Sequence, residues 1–79
     1  TNLFSIFPNP ADNDLFINFN PVINNEIQYK VIDVLGRLLQ RGKLLNYRIN
    51  VSRLSSGIYF LALYKENKQV GKTVKFTKN

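Results

Sequence analysis

No cysteine, histidine, methionine or tryptophan occurs among the 79 residues of this chain. Each absence removes a kind of chemistry. Without cysteine there is no disulfide framework, thiolate metal site or thiol nucleophile. Without histidine the commonest general base and metal ligand are missing together, so Ser52, Ser55 and Ser56 have no imidazole to activate them and read as corner residues. Asp12 and Asp14 flank Asn13, but two carboxylates make a thin cage for a hard cation, and Asp and Asn at a turn need no metal to explain them. The four glycines have no phosphate-loop spacing. No catalytic constellation, metal site or cofactor is expected. Long apolar runs are absent too: none approaches the roughly 20 residues of a membrane helix, and no charged-then-apolar leader precedes the first strand, so membrane insertion is not expected. A chain of this size buries about 60–65% of its unfolded surface, which predicts one small domain over residues 1–79 with no room for a large cleft. A start at Thr1 without any methionine predicts that this domain is taken from a longer protein.

Acidic residues are scarce and unevenly placed. Residues 1–36 hold Lys30 against Asp12, Asp14, Glu26 and Asp33, whereas residues 37–79 hold ten Lys and Arg against Glu66 alone, within a net charge of +6. A basic half can serve an anionic partner; equally, lysines solvate outer strand faces and guard sheet edges. No recognition helix or aromatic-basic RNA motif accompanies the charge, so a nucleic-acid partner is not expected.

What the chain does contain is period-two patterning. Leu54-Ser55-Ser56-Gly57 leads into Ile58-Tyr59-Phe60-Leu61-Ala62-Leu63-Tyr64, a run without charge and apolar at both parities. That predicts a central strand covered on both faces, with Gly57 where the backbone conformation or a close approach forbids a Cβ and Leu54 folding back onto the core. Earlier, Leu3 to Phe7 is a short strand stopped by Pro8-Asn9-Pro10, since proline lacks an N–H and restricts its predecessor. Asp14 to Phe19 places Leu15, Ile17 and Phe19 on one face and Phe16 on the other; Asn20-Pro21 and Asn24-Asn25 bracket a loop. Glu26 to Val34 turns Ile27, Tyr29 and Val31 inward.

Asp33-Val34-Leu35-Gly36 reads as a turn capped by Asp and closed by a left-handed glycine, returning through Arg37 to Leu44. Tyr47, Ile49 and Val51 alternate in the next strand, Lys65-Glu66-Asn67-Lys68 is a tight turn, and Gln69 to Thr77 turns Val70, Val74 and Phe76 inward with Lys72 interrupting that face. Seven short strands without helical period predict an all-β, seven-stranded antiparallel immunoglobulin-like β-sandwich, with a barrel as the competing all-β arrangement.

Four local motifs occur in one order: Pro8-Asn9-Pro10-Ala11, Val31-Ile32-Asp33 before Leu35-Gly36-Arg37, Leu54-Ser55-Ser56-Gly57-Ile58-Tyr59, and Lys72-Thr73-Val74-Lys75. In this the chain resembles the C-terminal sorting domain (type A) of cargo proteins of the type IX secretion system of Bacteroidota. The resemblance implies an immunoglobulin-like sandwich without catalytic activity, carried at the C-terminus of a cargo that reaches the periplasm by its own signal. The implied partners are the N-terminal cargo domain, the outer-membrane secretion and shuttle proteins, and a surface sortase. The implied destination is the cell surface or medium, with removal of the domain in many cargoes. The matching positions are Pro8, Asn9, Pro10, Gly36, Leu54, Gly57, Tyr59, Lys72, Val74 and Lys75; the glycines and the Pro-Asn-Pro corner are expected to shape the fold, while contact and structural roles stand side by side for Lys72 and Lys75. The alternative is an accessory β-sandwich of a secreted hydrolase, binding glycans or spacing domains, which a surface row of Tyr29, Tyr47, Tyr59 and Tyr64 would favour.

Overall fold

The alternating segments resolve into seven strands and no helix among the described residues, 3–19 and 26–79 of a computed structural model. The loop predicted around Pro21 and Asn25 lies outside them. The strands are β1 (Phe4–Phe7), β2 (Asp14–Phe19), β3 (Gln28–Asp33), β4 (Leu38–Lys43), β5 (Arg48–Asn50), β6 (Gly57–Lys65) and β7 (Lys68–Lys78). They form two antiparallel sheets, β1-β2-β5 and β4-β3-β6-β7. Two separate sheets exclude the barrel.

The inward parities meet between the sheets. Leu15 and Ile49 from one sheet, and Val31, Leu61, Leu63 and Phe76 from the other, are almost wholly buried together with Val51. Burying a side chain of this size contributes about 1.5–3 kcal/mol, so these few positions dominate the stability of a short chain. Leu54 packs against this cluster from the loop after β5, as expected. Asp33 fixes the β3–β4 turn: its Oδ1 accepts from the backbone N–H groups of Leu35 and Arg37, both at 2.9 Å, and Gly36, at φ +83°, closes the loop with a 3.0 Å bond to the Asp33 carbonyl. In the β6–β7 turn Glu66 and Asn67 both have positive φ, 50° and 68°, the geometry that suits the twist of a two-residue hairpin.

The structure departs from the sequence reading at two places and decides between its alternatives at a third. The central strand β6 is interior in its sheet, between β3 and β7, yet only one of its faces packs into the core, and on the other Ala62 alone is buried. Tyr59, Leu61 and Leu63 are buried, whereas Ile58 is 43% exposed and Phe60 and Tyr64 are half-buried. A sandwich has two layers, so among the described residues the outer face of each sheet has no third layer to cover it. Tyr47 does not belong to β5: it lies in the preceding turn at φ 55°, 42% exposed, its ring edge-on to Phe19. Around Gly57 there is open space, the nearest atom to an added Cβ being Tyr59 Cε2 at 4.0 Å; its φ of +155°, not crowding, is what favours glycine.

Lys72 breaks the inward parity of β7 for a reason visible in the register. Leu61 pairs with Val74 and Leu63 with Val70, so residues 71–73 bulge opposite Ala62, helped by Gly71 at φ +68°. The bulge puts Val70 and Val74 both against the core and Lys72 at the surface.

Candidate functional site

The register collects the sequence motifs at one end of the sandwich. Asp14 pairs with Asn50, Ile32 with Leu38, Asp33 with Tyr59, and Gly57 with Lys78. The corner after β1, the β3–β4 turn, the loop before β6 and the C-terminal end of β7 therefore share this end. A parallel bridge between Ala11 and Lys78 joins the two sheets there.

The Pro8-Asn9-Pro10 corner is fastened onto β7. Both Phe7–Pro8 and Asn9–Pro10 peptides are cis. Asn9, held between two residues that lack an N–H, uses its side chain: Oδ1 accepts from the Thr77 N–H at 2.8 Å. Ala11, fully buried, donates its N–H to the Thr77 carbonyl at 2.8 Å and accepts from the Asn79 N–H at 2.9 Å. Asn79 Nδ2 completes the strap by donating to Asp12 Oδ1 at 2.9 Å. The role of Ala11, Thr77 and Asn79 escapes sequence reasoning because partners 66 to 68 residues apart leave no local pattern. The one available signal was an asparagine between prolines, whose side-chain amide must find its bond elsewhere.

Next to the strap, Tyr59 near the start of β6 is buried and donates its hydroxyl to the Ser55 carbonyl at 2.7 Å, its ring 5.8 Å from that of Phe76. This pins the loop containing Leu54 and Gly57. Asp33 is closed by Arg37, whose Nε lies 2.6 Å from Oδ2. The bond from the Arg37 backbone N–H, outweighing the opposing effect of burial, holds the Asp33 carboxyl below its usual value, with the guanidinium and the Leu35 N–H acting in the same direction.

The strap, the pinned loop and the capped turn thus unite Pro8, Asn9, Pro10, Gly36, Leu54, Gly57 and Tyr59. Val74 faces the core opposite Leu61, and Lys75 stands exposed opposite Phe60. Lys72 lies outside this cluster, in the bulge.

Bordering these residues is the free edge of β7, the terminal strand of its sheet. Thr77 directs its N–H and carbonyl away from β6 to Asn9 and Ala11. By the two-residue alternation of a ladder, Lys75 directs its backbone groups to the same outer edge, beyond the reach of the strap. The arrangement is suited to recognition through backbone hydrogen bonds and charge. Nothing in it pairs a nucleophile with a base: Ser52 Oγ donates to Asn50 Oδ1 at 2.6 Å and the Ser55 carbonyl is taken by Tyr59. Asp14 lies 3.9 Å from Arg48, apart from Asp12, and no group of three potential metal ligands occurs among the described residues. The tyrosines do not form a surface row, since Tyr59 is buried and Tyr29 and Tyr64 are half-buried on opposite faces of their sheet.

Comparison with known proteins gives matches that span nearly the whole chain. The family model described as the secretion system C-terminal sorting domain matches residues 5–77. Among solved structures, the chain is similar to part of PorZ, an essential bacterial surface component of the type IX secretion system of Porphyromonas gingivalis, with a TM-score of 0.69 and 21% identity. That similarity covers 96% of this chain and 11% of PorZ. No curated protein matches the chain.

Proposed function

This chain belongs to the family of secretion system C-terminal sorting domains, and from that premise we propose that it is a non-catalytic address domain, read by the type IX outer-membrane machinery for translocation of an attached cargo. The observation that carries the proposal is the β7 edge: the strand is terminal in its sheet, carries exposed Lys72 and Lys75, and keeps backbone groups turned outward. A receptor adds a strand there, with backbone bonds supplying affinity and the lysines supplying register. The strap at Asn9 and Ala11 engages Thr77 and Asn79 at the end of this edge and leaves the stretch around Lys75 to a partner.

The same reading makes residues 1–79 one domain of a longer secreted protein and makes the sandwich immunoglobulin-like. Support for the latter comes from the three-plus-four strand arrangement and from Tyr59, which bonds back to Ser55 at the corner before β6, as does the tyrosine corner of such domains. The cargo is delivered to the cell surface or the medium, where the outer-membrane shuttle proteins and a surface sortase are the expected partners.

The test is a reporter directed to the periplasm of a host with the matching secretion system and carrying this chain at its C-terminus. The wild-type fusion crosses the outer membrane, and Lys72→Gln with Lys75→Gln reduces the exported fraction. A wild-type fusion that stays in the periplasm overturns the proposal; full export of the folded double variant moves recognition away from the edge lysines.

A further inference from the structure

The uncovered face of β6 carries a pattern that a solvated sheet surface does not need. Ile32 of β3 pairs with Leu38 of β4 on one side and with Phe60 of β6 on the other, and Phe60 pairs with Lys75 of β7. Residues directly opposite one another share a face, so Leu38, Ile32 and Phe60 form a continuous apolar band across three strands, with Ile58 of the same face alongside. Leu38 is 47% exposed, Ile58 43%, and Ile32 and Phe60 are half-buried. Cations frame the band: Lys75 at one end, and the cross-strand pair Lys30 and Arg41 in the adjoining row. Lys30 also sits 4.7 Å above the Tyr64 ring on this face. No carboxylate occupies any paired position of the face among the described residues; Asp33 points to the core side with Tyr59, and Glu26 lies at the margin with Lys43.

We propose that the outer face of the four-stranded sheet is a docking surface for a protein partner that presents an apolar strand or ridge flanked by carboxylates, seated on Leu38, Ile32, Phe60 and Ile58. An apolar centre containing an aromatic ring within a charged rim is the layout of an interface core. The predominantly positive rim, in which Glu26 beside Lys43 is the one carboxylate among the described residues, selects an acidic partner and disfavours a second copy of this basic chain. The band lies within a paired sheet face, which suits a protein ridge better than a bilayer. This surface adjoins the outward edge of β7 through Lys75, but its existence does not rest on the sorting reading, because it is read as binding and not as export.

The probe is a synthetic twelve-residue peptide of alternating Leu and Glu, titrated into the isotope-labelled 79-residue chain by NMR, with the Leu-Lys peptide and anionic phosphatidylglycerol vesicles as parallel arms. The acidic peptide shifts the signals of Leu38, Ile32, Phe60 and Ile58 and leaves those of Ser5 and Asn18 on the other sheet unmoved. Lys30→Gln with Arg41→Gln weakens it by about tenfold or more, as does Phe60→Thr, and added salt weakens it further. If Phe60→Thr does not fold, the charge variant and Leu38→Thr, each checked by thermal melting, decide the matter. Absence of acidic-peptide binding, equal binding of the Leu-Lys peptide, shifts confined to the other sheet, or association with the vesicles alone overturns the proposal.

Discussion

Asp33 does the work of a cap and an ion-pair partner in one side chain: two backbone N–H groups and the Arg37 guanidinium converge on its carboxylate. Its pKa is held below the ordinary 3.8, first by the bond from the Arg37 N–H. A carboxyl with a depressed folded pKa contributes stability above its unfolded pKa and loses it as pH falls through the folded value. Asp33→Asn therefore lowers the melting temperature at neutral pH, and the gap to wild type narrows as pH drops from about 4 downward; melting curves across that range check it, and a gap independent of pH would refute the assignment. Gly57 makes a different demand. With φ at +155° and open space at the Cβ position, Gly57→Val costs on the order of 1–3 kcal/mol through backbone strain. Equilibrium denaturation measures it, and an unchanged midpoint would show that the strand start has no special conformation.

At the level of elements, β7 combines a bulge, an edge and a strap. The bulge at residues 71–73 keeps Val70 and Val74 on the inner face, so Val74 packs against the core and Phe76 is buried while Lys72 and Lys75 remain at the surface. Neutralising the two lysines removes charge without touching the core, so Lys72→Gln with Lys75→Gln leaves the denaturation midpoint within about 0.5 kcal/mol of wild type. That separation of stability from recognition makes the export test interpretable. A large loss of stability in this variant would mean that the lysines are structural. The short β5 shows the opposite situation: its three residues, Arg48–Asn50, contribute Ile49 to the core, and its outer connection to the second sheet is the Gln40 side chain, which donates to the Asn50 carbonyl at 2.7 Å.

For the molecule as a whole, the strap between the β1–β2 corner and the end of β7 is where the first and last parts of the chain meet. Asn9→Ala removes the bond to Thr77 and leaves that N–H without its side-chain partner, a loss of about 1 kcal/mol. Hydrogen exchange at Thr77 and Asn79 should rise in this variant while the Leu61 and Leu63 amides at the sheet centre stay protected. Uniform loss of protection would mean that the strap and the core open together.

The sequence alone determined the strands and their inner faces. Alternation at Leu15, Ile17 and Phe19 and at Val31, turn chemistry at Asp33 and Gly36, and the tight turn at Asn67 are all local, and local preference and packing agree at those positions. It also carried the family resemblance, since four motifs in one order can be read without coordinates. Only the tertiary structure decided that the motifs gather at one end, that Asn9 and Ala11 close on Thr77 and Asn79, and that the bulge resolves the misplaced Lys72. These depend on pairings between distant residues, which leave no periodic trace in the chain. The second face of β6 shows the limit most clearly: an apolar run reports that a side chain resists water, but whether this chain or another covers it is settled by the number of layers the fold supplies.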